Sequence, residues 1–420
     1  MFYKETNFKE TSVGQIPKDW EVIRLGDMLT YIKGKKPAEM MEKEPVEDKE
    51  NYLPYLSAGY LRENKPTKFV KISKDIISVN EGDLILLWDG SNVGEFFLGK
   101  KGVLSSTMVK FELKEKKCIP RFLFYVLKNK EKYLKERTKG TGIPHVDGAV
   151  LKNLLIPLPS PPEQRRITET LSTVDLAIQK TNEIIAKAER LKKGLMQELL
   201  TKGIGHKEFK DTEIGRIPKD WGTMKLYDLI EIETGKRAKG GALNKGNVAS
   251  IGGEHIDDQG NILWNDMKFI PEDFYDSLKQ GKVKLGDVLL VKDGTPGKVA
   301  IIKNLKYEKV AVNEHVFIIR SKTDRLINEF LFYFLFSKLG QIQIKTRVHG
   351  LIAGIVRNDL ETILLPVPPT HEQQSIVKIL STVDKMLELE RNAKARLERI
   401  KQGLMDLLLT GKIRVKGEVT

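Results

Sequence analysis

The chain carries one frame twice. Gly14-Gln15-Ile16-Pro17-Lys18-Asp19-Trp20 returns 201 positions later as Gly215-Arg216-Ile217-Pro218-Lys219-Asp220-Trp221. Leu171-Ser172-Thr173-Val174-Asp175 returns 209 positions later as Leu380-Ser381-Thr382-Val383-Asp384. A period near 200 residues is far too long for a solenoid or propeller repeat, so the fold is a duplicated domain with its connector. The drift from 201 to 209 gives the second copy a net eight extra residues, and the interiors of the copies diverge more than their edges. One frame with two fillings suits a device that reads two different things.

Residues 1–160 form the first globular segment. Its β-rich runs, such as Asp83-Leu84-Ile85-Leu86-Leu87-Trp88 and Met108-Val109-Lys110-Phe111-Glu112-Leu113, are bounded by Gly, Asn, Ser and Asp. Residues 204–369 form its partner, with Gly286-Asp287-Val288-Leu289-Leu290-Val291 and Val316-Phe317-Ile318-Ile319 at the matching places. A later helical stretch repeats the core Phe122-Leu123-Phe124-Tyr125 as Phe330-Leu331-Phe332-Tyr333. Trp20 and Trp221, in the shared frame beside apolar residues, read as core.

The other two segments, 161–203 and 370–413, read as long helices, with 414–420 as a tail. Pro157, Pro159, Pro161 and Pro162 lead into Glu163-Gln164, and proline is tolerated in a first helical turn but not further in. Apolar residues follow at Ile167, Leu171, Val174, Ile178, Ile185, Ala188, Leu195 and Leu199, the spacing of a coiled-coil seam. Leu191 breaks the strict register and Thr181 is a weak seam residue. The second copy runs Ile376, Leu380, Val383, Leu387, Ala393, Leu397, Ile400, Leu404 and Leu408, with Glu390 at a seam position. Each helix of about 40 residues is about 60 Å long at 1.5 Å per residue, and each is the natural partner of the other. Connectivity makes the pair antiparallel: the first helix arrives at globule two, from which the second returns. The expectation is a pseudo-twofold dumbbell with its termini close together beside globule one.

The formal charge is +14, from 71 Lys+Arg against 57 Asp+Glu, which favours a polyanionic partner. Lysine outnumbers arginine about three to one, so a general lysine-rich bias competes with that reading. Geometry adds support. A local dyad of duplex DNA is perpendicular to its axis, so a pseudo-dyad protein can present one globule to each of two half-sites. Candidate contacts lie in basic and polar loops at matching places. In the first globule they are Lys33, Lys35, Lys36, Arg62, Lys65, Lys68, Ser91, Asn92, Lys139 and His145. In the second they are Lys236, Arg237, Lys239, Lys245, Asn247, His255, Lys298, Asn313, His315, Lys345, Arg347 and His349. Lysines would touch phosphate, whereas Asn, His, Arg, Ser and Thr suit base edges.

Catalytic patterns are absent or broken. Glu112-Leu113-Lys114, with Asp83 or Asp89 upstream, loosely resembles a nuclease arrangement, but His315-Val316-Phe317-Ile318-Ile319-Arg320 carries no such pair. His371-Glu372 is followed by Ser375 where a zinc-protease motif needs a second histidine, and helix N-terminus chemistry explains the glutamates better. No phosphate-binding glycine loop and no adenine-methyltransferase motif is present. Cys118 is the single cysteine, which excludes an internal disulfide. The longest apolar run, Phe330 to Phe336, is far below the roughly 20 residues of a membrane span. Met1-Phe2-Tyr3-Lys4-Glu5 has no apolar signal region, so the expected compartment is the cytoplasm.

The arrangement resembles the DNA sequence-specificity subunit of type I restriction–modification enzymes. The resemblance covers nearly the whole chain. It rests on Ile16 to Trp20 and Ile217 to Trp221, and on the exits Ile156-Pro157-Leu158-Pro159-Ser160-Pro161-Pro162-Glu163-Gln164 and Leu365-Pro366-Val367-Pro368-Pro369-Thr370-His371-Glu372-Gln373. The helix ends Gly194-Leu195-Met196 and Gly403-Leu404-Met405, each followed by Leu-Leu-Thr, complete it. It implies an α+β protein with two similar mixed α/β target-recognition domains built on twisted β-sheets. Two long antiparallel coiled-coil helices would separate them in a pseudo-twofold repeat. Each domain would read one half of an asymmetric bipartite DNA target, and the helices would act as ruler and as dock for two modification subunits, through which restriction subunits join. S-adenosylmethionine, and ATP and magnesium in the full complex, would belong to those partners, leaving this chain with no cofactor, metal or catalytic residue. A single Leu-Leu-Thr-Lys-Gly-Ile at the end of the first helix implies an ordinary spacer. A self-sufficient nuclease and a coiled-coil scaffold whose globules bind proteins are the competing readings.

Overall fold

The computed structural model describes residues 2–115, 117–140, 142–350 and 353–415. It divides into two compact units, Met1–Asn182 with Asn392–Thr420, and Glu183–Arg391. Each unit contains one half of each long helix.

The first unit is built on a four-stranded antiparallel sheet ordered Phe96–Leu98, Leu84–Leu87, Met108–Leu113, Leu29–Lys33. In the second unit the order is Val299–Ile301, Val288–Val291, Val316–Ser321, Ile230–Thr234, the same topology. A smaller sheet beside each contains a parallel pair, Tyr52–Leu56 with Gly102–Leu104 and Val248–Ile251 with Lys309–Val312. The inner strands Leu84–Leu87 and Val288–Val291 of the main sheets are apolar throughout and buried at all four positions. Helices Pro120–Lys128 and Asn328–Phe336 cover the main sheets, and Phe122 and Phe330 are wholly buried there. Trp20 and Trp221 are likewise buried in the cores.

The long helices span Pro161–Leu199 and Thr370–Leu408. Their apolar faces run straight into the unit cores: Ile167, Leu171, Met405 and Leu408 join the first, with Leu409 just past the helix end, and Leu199, Ile376 and Leu380 join the second. Within the second unit Ala188, Val383 and Leu387 form a separate seam, with Ile185 and Leu195 packed against it. The two halves run antiparallel in each unit. Lys401 pairs with Asp175 at 2.6 Å, and its repeat counterpart Lys192 pairs with Asp384 at 2.5 Å. Both aspartates also accept from a core tyrosine, Tyr125 at 2.7 Å and Tyr333 at 2.8 Å. Burial first, and then the aspartate, hold both hydroxyls far above the ordinary tyrosine pKa, so they remain donors.

In the first unit Val174, Ile178, Leu397 and Leu404 of these helices are half-buried. Ile400 is not: it is 52% exposed, as Leu191 at the equivalent position is 50% exposed. The polar layer explains the departure. Lys192 and Lys401 occupy the inward positions next along the helix, which turns Leu191 and Ile400 outward, while Met405, one turn and more further on, is buried in the first core.

The repeated Pro-Pro-Glu-Gln and Pro-Thr-His-Glu-Gln stretches weld helix to globule. Trp20 Nε1 donates to Glu163 at 3.0 Å, and Trp221 Nε1 to Glu372 at 2.9 Å. The Gln164 amide, fully buried, accepts from Ile119 N–H and donates to the Lys117 and Pro159 carbonyls. Gln373 repeats all three bonds with Ile327, Arg325 and Pro368. The remaining oxygen of each glutamate meets a cation or histidine from just beyond the other helix's end: Arg414 at Glu163, His206 at Glu372. Arg414 also binds Glu5 and Asp19, and its strand Ile413–Val415 pairs with Phe2–Lys4, which ties both of these segments into the first unit.

Candidate nucleic-acid interface

The main sheet of each unit has one end at which polar connections converge, opposite the end that leads into the Gln164 or Gln373 weld. Four pieces of chain meet there. The first is the exit from strand Leu29–Lys33 or Ile230–Thr234. The second is the hairpin turn after Leu87 or Val291, and the third is the turn before Met108 or Val316. The fourth is a late loop around His145 or Gly354. The same backbone bonds knit them in both units. Trp88 N–H donates to Thr107 O at 2.8 Å, and Lys292 N–H to His315 O at 2.9 Å. Val146 N–H donates to Trp88 O at 3.0 Å, and Ile355 N–H to Lys292 O at 2.7 Å. Gly34 and Gly235 let the first connection lie flat on the third, because a Cβ would collide with the Ser105 carbonyl in one unit and the Val312 and Asn313 carbonyls in the other.

In the first unit this pole gathers Lys33, Lys35, Lys36, Ser91, Asn92, Lys139 and His145, all exposed except the half-buried His145. Lys33 pairs with Asp89 at 2.8 Å and Lys139 with Asp147 at 2.8 Å. The Lys139 ammonium leads the backbone amides of Ala149 and Val150 in holding the Asp147 carboxyl below its usual pKa. Lys65 and Lys68 lie in the adjoining segment, where Lys68 O accepts from Tyr55 N–H. Burial pushes the Tyr55 hydroxyl up, but bonds with Ser105 and Ser106 and the charge of Lys68 outweigh it and leave that hydroxyl below the ordinary value. Arg62 is tied to Glu95 through two guanidinium nitrogens.

In the second unit the pole gathers Lys236, Arg237, Lys239, Asn313, His315 and His349, with Lys298 beside them. His315 bonds to Asp293 through Nδ1, and Asn313 Oδ1 accepts the His315 N–H. Arg237 lies 3.8 Å from Glu314. Lys298 is turned onto the Ile256 carbonyl and Asp258. Arg347 is spent on Gln343 O and Thr362, closing the end of helix Lys338–Lys345, which carries the exposed Lys345. Lys245 and Asn247 precede strand Val248–Ile251, at the end away from the pole.

His255 is a correction. It is only 2% exposed; its Nδ1 accepts from Gly252 N–H at 2.8 Å and its Nε2 sits 3.2 Å from Asp266 O. One ring nitrogen closes the short 3-10 turn Gly253–His255 and the other faces Asp266 of a neighbouring turn, so nothing is left to offer a ligand.

Positive charge in the sequence does not point to Asp89 and Asp293, the acids at the middle of both poles. An Asp-Gly pair stands directly after the inner strand region in each copy, as Asp89-Gly90 and Asp293-Gly294, and that repeat was the available signal. The nuclease-like pattern dissolves into ion pairs. Lys110 lies 3.8 Å from both Asp83 and Glu112, Lys114 donates to Gly26 O, and Arg320 replaces Glu112 in the second unit, paired with Asp287. Among the described residues no three His, Cys, Asp or Glu side chains gather as a metal site, and no helix is long and apolar enough to cross a membrane.

Comparison with known proteins agrees with this architecture. The chain is 43% identical over 421 residues to the type I restriction enzyme MjaVIII specificity subunit of Methanocaldococcus jannaschii, covering 99% of this chain and 98% of that protein. It is 31% identical to the putative MjaX specificity subunit of the same organism, again over 99% and 98%. A type I S subunit from M. genitalium shares the fold, with a TM-score of 0.59 at 17% identity over 93% of this chain and 96% of that one. The model of the type I restriction modification DNA specificity domain matches twice, at residues 17–190 and 218–399. Both copies of the repeat are thereby accounted for, and the chain belongs to the family of type I restriction–modification DNA specificity subunits.

Proposed function

We propose that this specificity subunit reads an asymmetric, bipartite duplex target, one half-site per unit, and contributes no catalytic residue of its own. The observation that carries the reading is the repeated pole: one backbone scaffold holds different side chains at equivalent positions. Lysines dominate the first, and arginine, histidine and asparagine are prominent in the second. A shared scaffold suits a common way of approaching DNA, and the different side chains suit two different half-sites.

The long helices serve as spacer and as dock for two modification subunits. Leu191 and Ile400 support this, since equivalent large apolar residues stand exposed at one position of each helix, one in each unit. Two equivalent anchors suit two copies of one partner. S-adenosylmethionine, ATP and magnesium belong to the modification and restriction subunits, and the assembly works in the cytoplasm.

The test is a methylation map of cells with and without this gene, by long-read sequencing. Loss of one asymmetric bipartite methyladenine motif on deletion supports the reading. An unchanged map in cells that make the modification subunits refutes it.

A further inference from the structure

The two poles share one aspartate and differ in the donor it holds. Asp89 and Asp293 each precede a glycine in the left-handed region, Gly90 at φ 117° and Gly294 at φ 75°. Each makes an isolated β-bridge to the late loop, Asp89 with His145 and Asp293 with Gly354. The two aspartates therefore hold equivalent places in the backbone. In the first unit Lys33 reaches Asp89 from the end of the edge strand, at 2.8 Å. In the second unit Thr234 stands in place of Lys33, and His315 holds the aspartate from the head of the central strand, where the first unit has Thr107. The donor has moved from one strand to another while the acid has stayed.

Neither pair belongs to a core. Both aspartates are recessed, about a quarter to a third exposed, while Lys33 and His315 are about half exposed. Exposed pairs of this kind add little to stability. An acid in the middle of a face that meets phosphate is unfavourable unless it orients a donor or accepts from a base. The recessed acid and projecting donor fit the first role. With His315 Nδ1 bound to Asp293, Nε2 is left for an acceptor. Its nearest carboxylate, Glu314 at 3.5 Å, lies beyond ordinary hydrogen-bond distance.

We propose that Asp89–Lys33 and Asp293–His315 are the base-reading pairs of the two half-sites. In each, the aspartate aims the donor at a purine acceptor in the major groove: guanine O6 or N7 for Lys33, a purine N7 for His315. This rests on the DNA-reading function proposed above.

The experiment co-expresses the full chain with its modification subunits and maps adenine methylation across the genome. The variants are Lys33→Ala, Asp89→Asn, His315→Ala, Asp293→Asn and His315→Gln. Lys33→Ala and Asp89→Asn should relax one position of one half-site by roughly 5- to 100-fold, the discrimination of one good base contact. His315→Ala and Asp293→Asn should do the same in the other half-site, with the spacer unchanged. His315→Gln should shift that position toward adenine, a change that mere loss of structure would not produce. Unaltered preference at every position, in variants that melt with the wild type, overturns the proposal. So does an even loss of methylation across all related sequences, which marks phosphate contact or misfolding. A wild-type map with no bipartite motif overturns both this inference and the DNA-reading function, whereas a normal wild-type motif with unaffected variants removes only the inference.

Discussion

Gln373 offers the sharpest test of how the helices are joined to the globules. Replacing it by alanine removes three hydrogen bonds at once and strands the Ile327 N–H and the Arg325 and Pro368 carbonyls at the junction. A buried backbone group left without a partner costs about 1–3 kcal/mol, so three give about 3 kcal/mol at the low end. In a unit of about 200 residues each kcal/mol moves the melting point by about 2–4 °C, so a drop of roughly 6–12 °C is expected. Because two units need not melt as one, the assay pairs thermal unfolding with peptide-resolved hydrogen exchange. Protection around Ile327 and Pro368 should fall, while peptides near Gln164 in the other unit hold theirs. Gln373→Glu should not rescue, since it keeps an acceptor for Ile327 N–H but turns a carboxylate toward two carbonyls. A Gln373→Ala protein that melts within 2 °C of wild type with protection intact would refute the reasoning.

Three further outcomes are expected. Lys192→Ala leaves Asp384 half-buried beside Tyr333 without its cation and should cost about 2 kcal/mol, less than a fully buried pair, read as urea stability of the second unit. The hydrogen bond from Arg414, reinforced by the Asn7 backbone amide, holds the Glu5 carboxyl below its usual pKa. A depressed folded pKa adds stability above the unfolded pKa, near 4.5, and loses it as pH falls through the lower folded value. Acid titration of the Arg414→Ala protein should therefore show a shallower loss of stability in that window. Finally, Leu191→Glu combined with Ile400→Glu should weaken capture of the modification subunits at least tenfold in a pull-down titration without lowering the melting point, because both side chains already face solvent.

Much of the architecture was legible because duplication marks it. Trp20 and Trp221, the strand runs and the helix seam through Leu387 could be read from repetition and spacing. Ile400 could not, because its outward turn depends on Lys401 finding Asp175 and Tyr125, partners far away in sequence. Glu163 and Gln164 read as first-turn chemistry, yet their side chains reach Trp20, Ile119 and Lys117, contacts no local pattern encodes. At the poles, positive charge found many of the exposed residues and overlooked Asp89 and Asp293, since an acid looks wrong beside phosphate until its donor is seen. His255 misled in the opposite direction: a polar residue in a short turn carries no periodicity to show that it points inward.

The pairing of Phe2–Lys4 with Ile413–Val415 sets an order on biosynthesis. The unit Glu183–Arg391 is one uninterrupted stretch and can close as soon as Arg391 has left the ribosome. The unit made first must wait for a segment that follows Arg391, because Met405, Leu408 and Leu409 complete its core and Arg414 its charge network. Domains that mature in the order of their synthesis are the usual case. Here the order is inverted, and the amino-terminal half stays incomplete, with Ile167 and Leu171 uncovered, until the segment from Met405 to Arg414 has been made. A message truncated after codon 391 would thus yield a finished second half attached to an unfinished first one, a product suited to rapid proteolytic clearance.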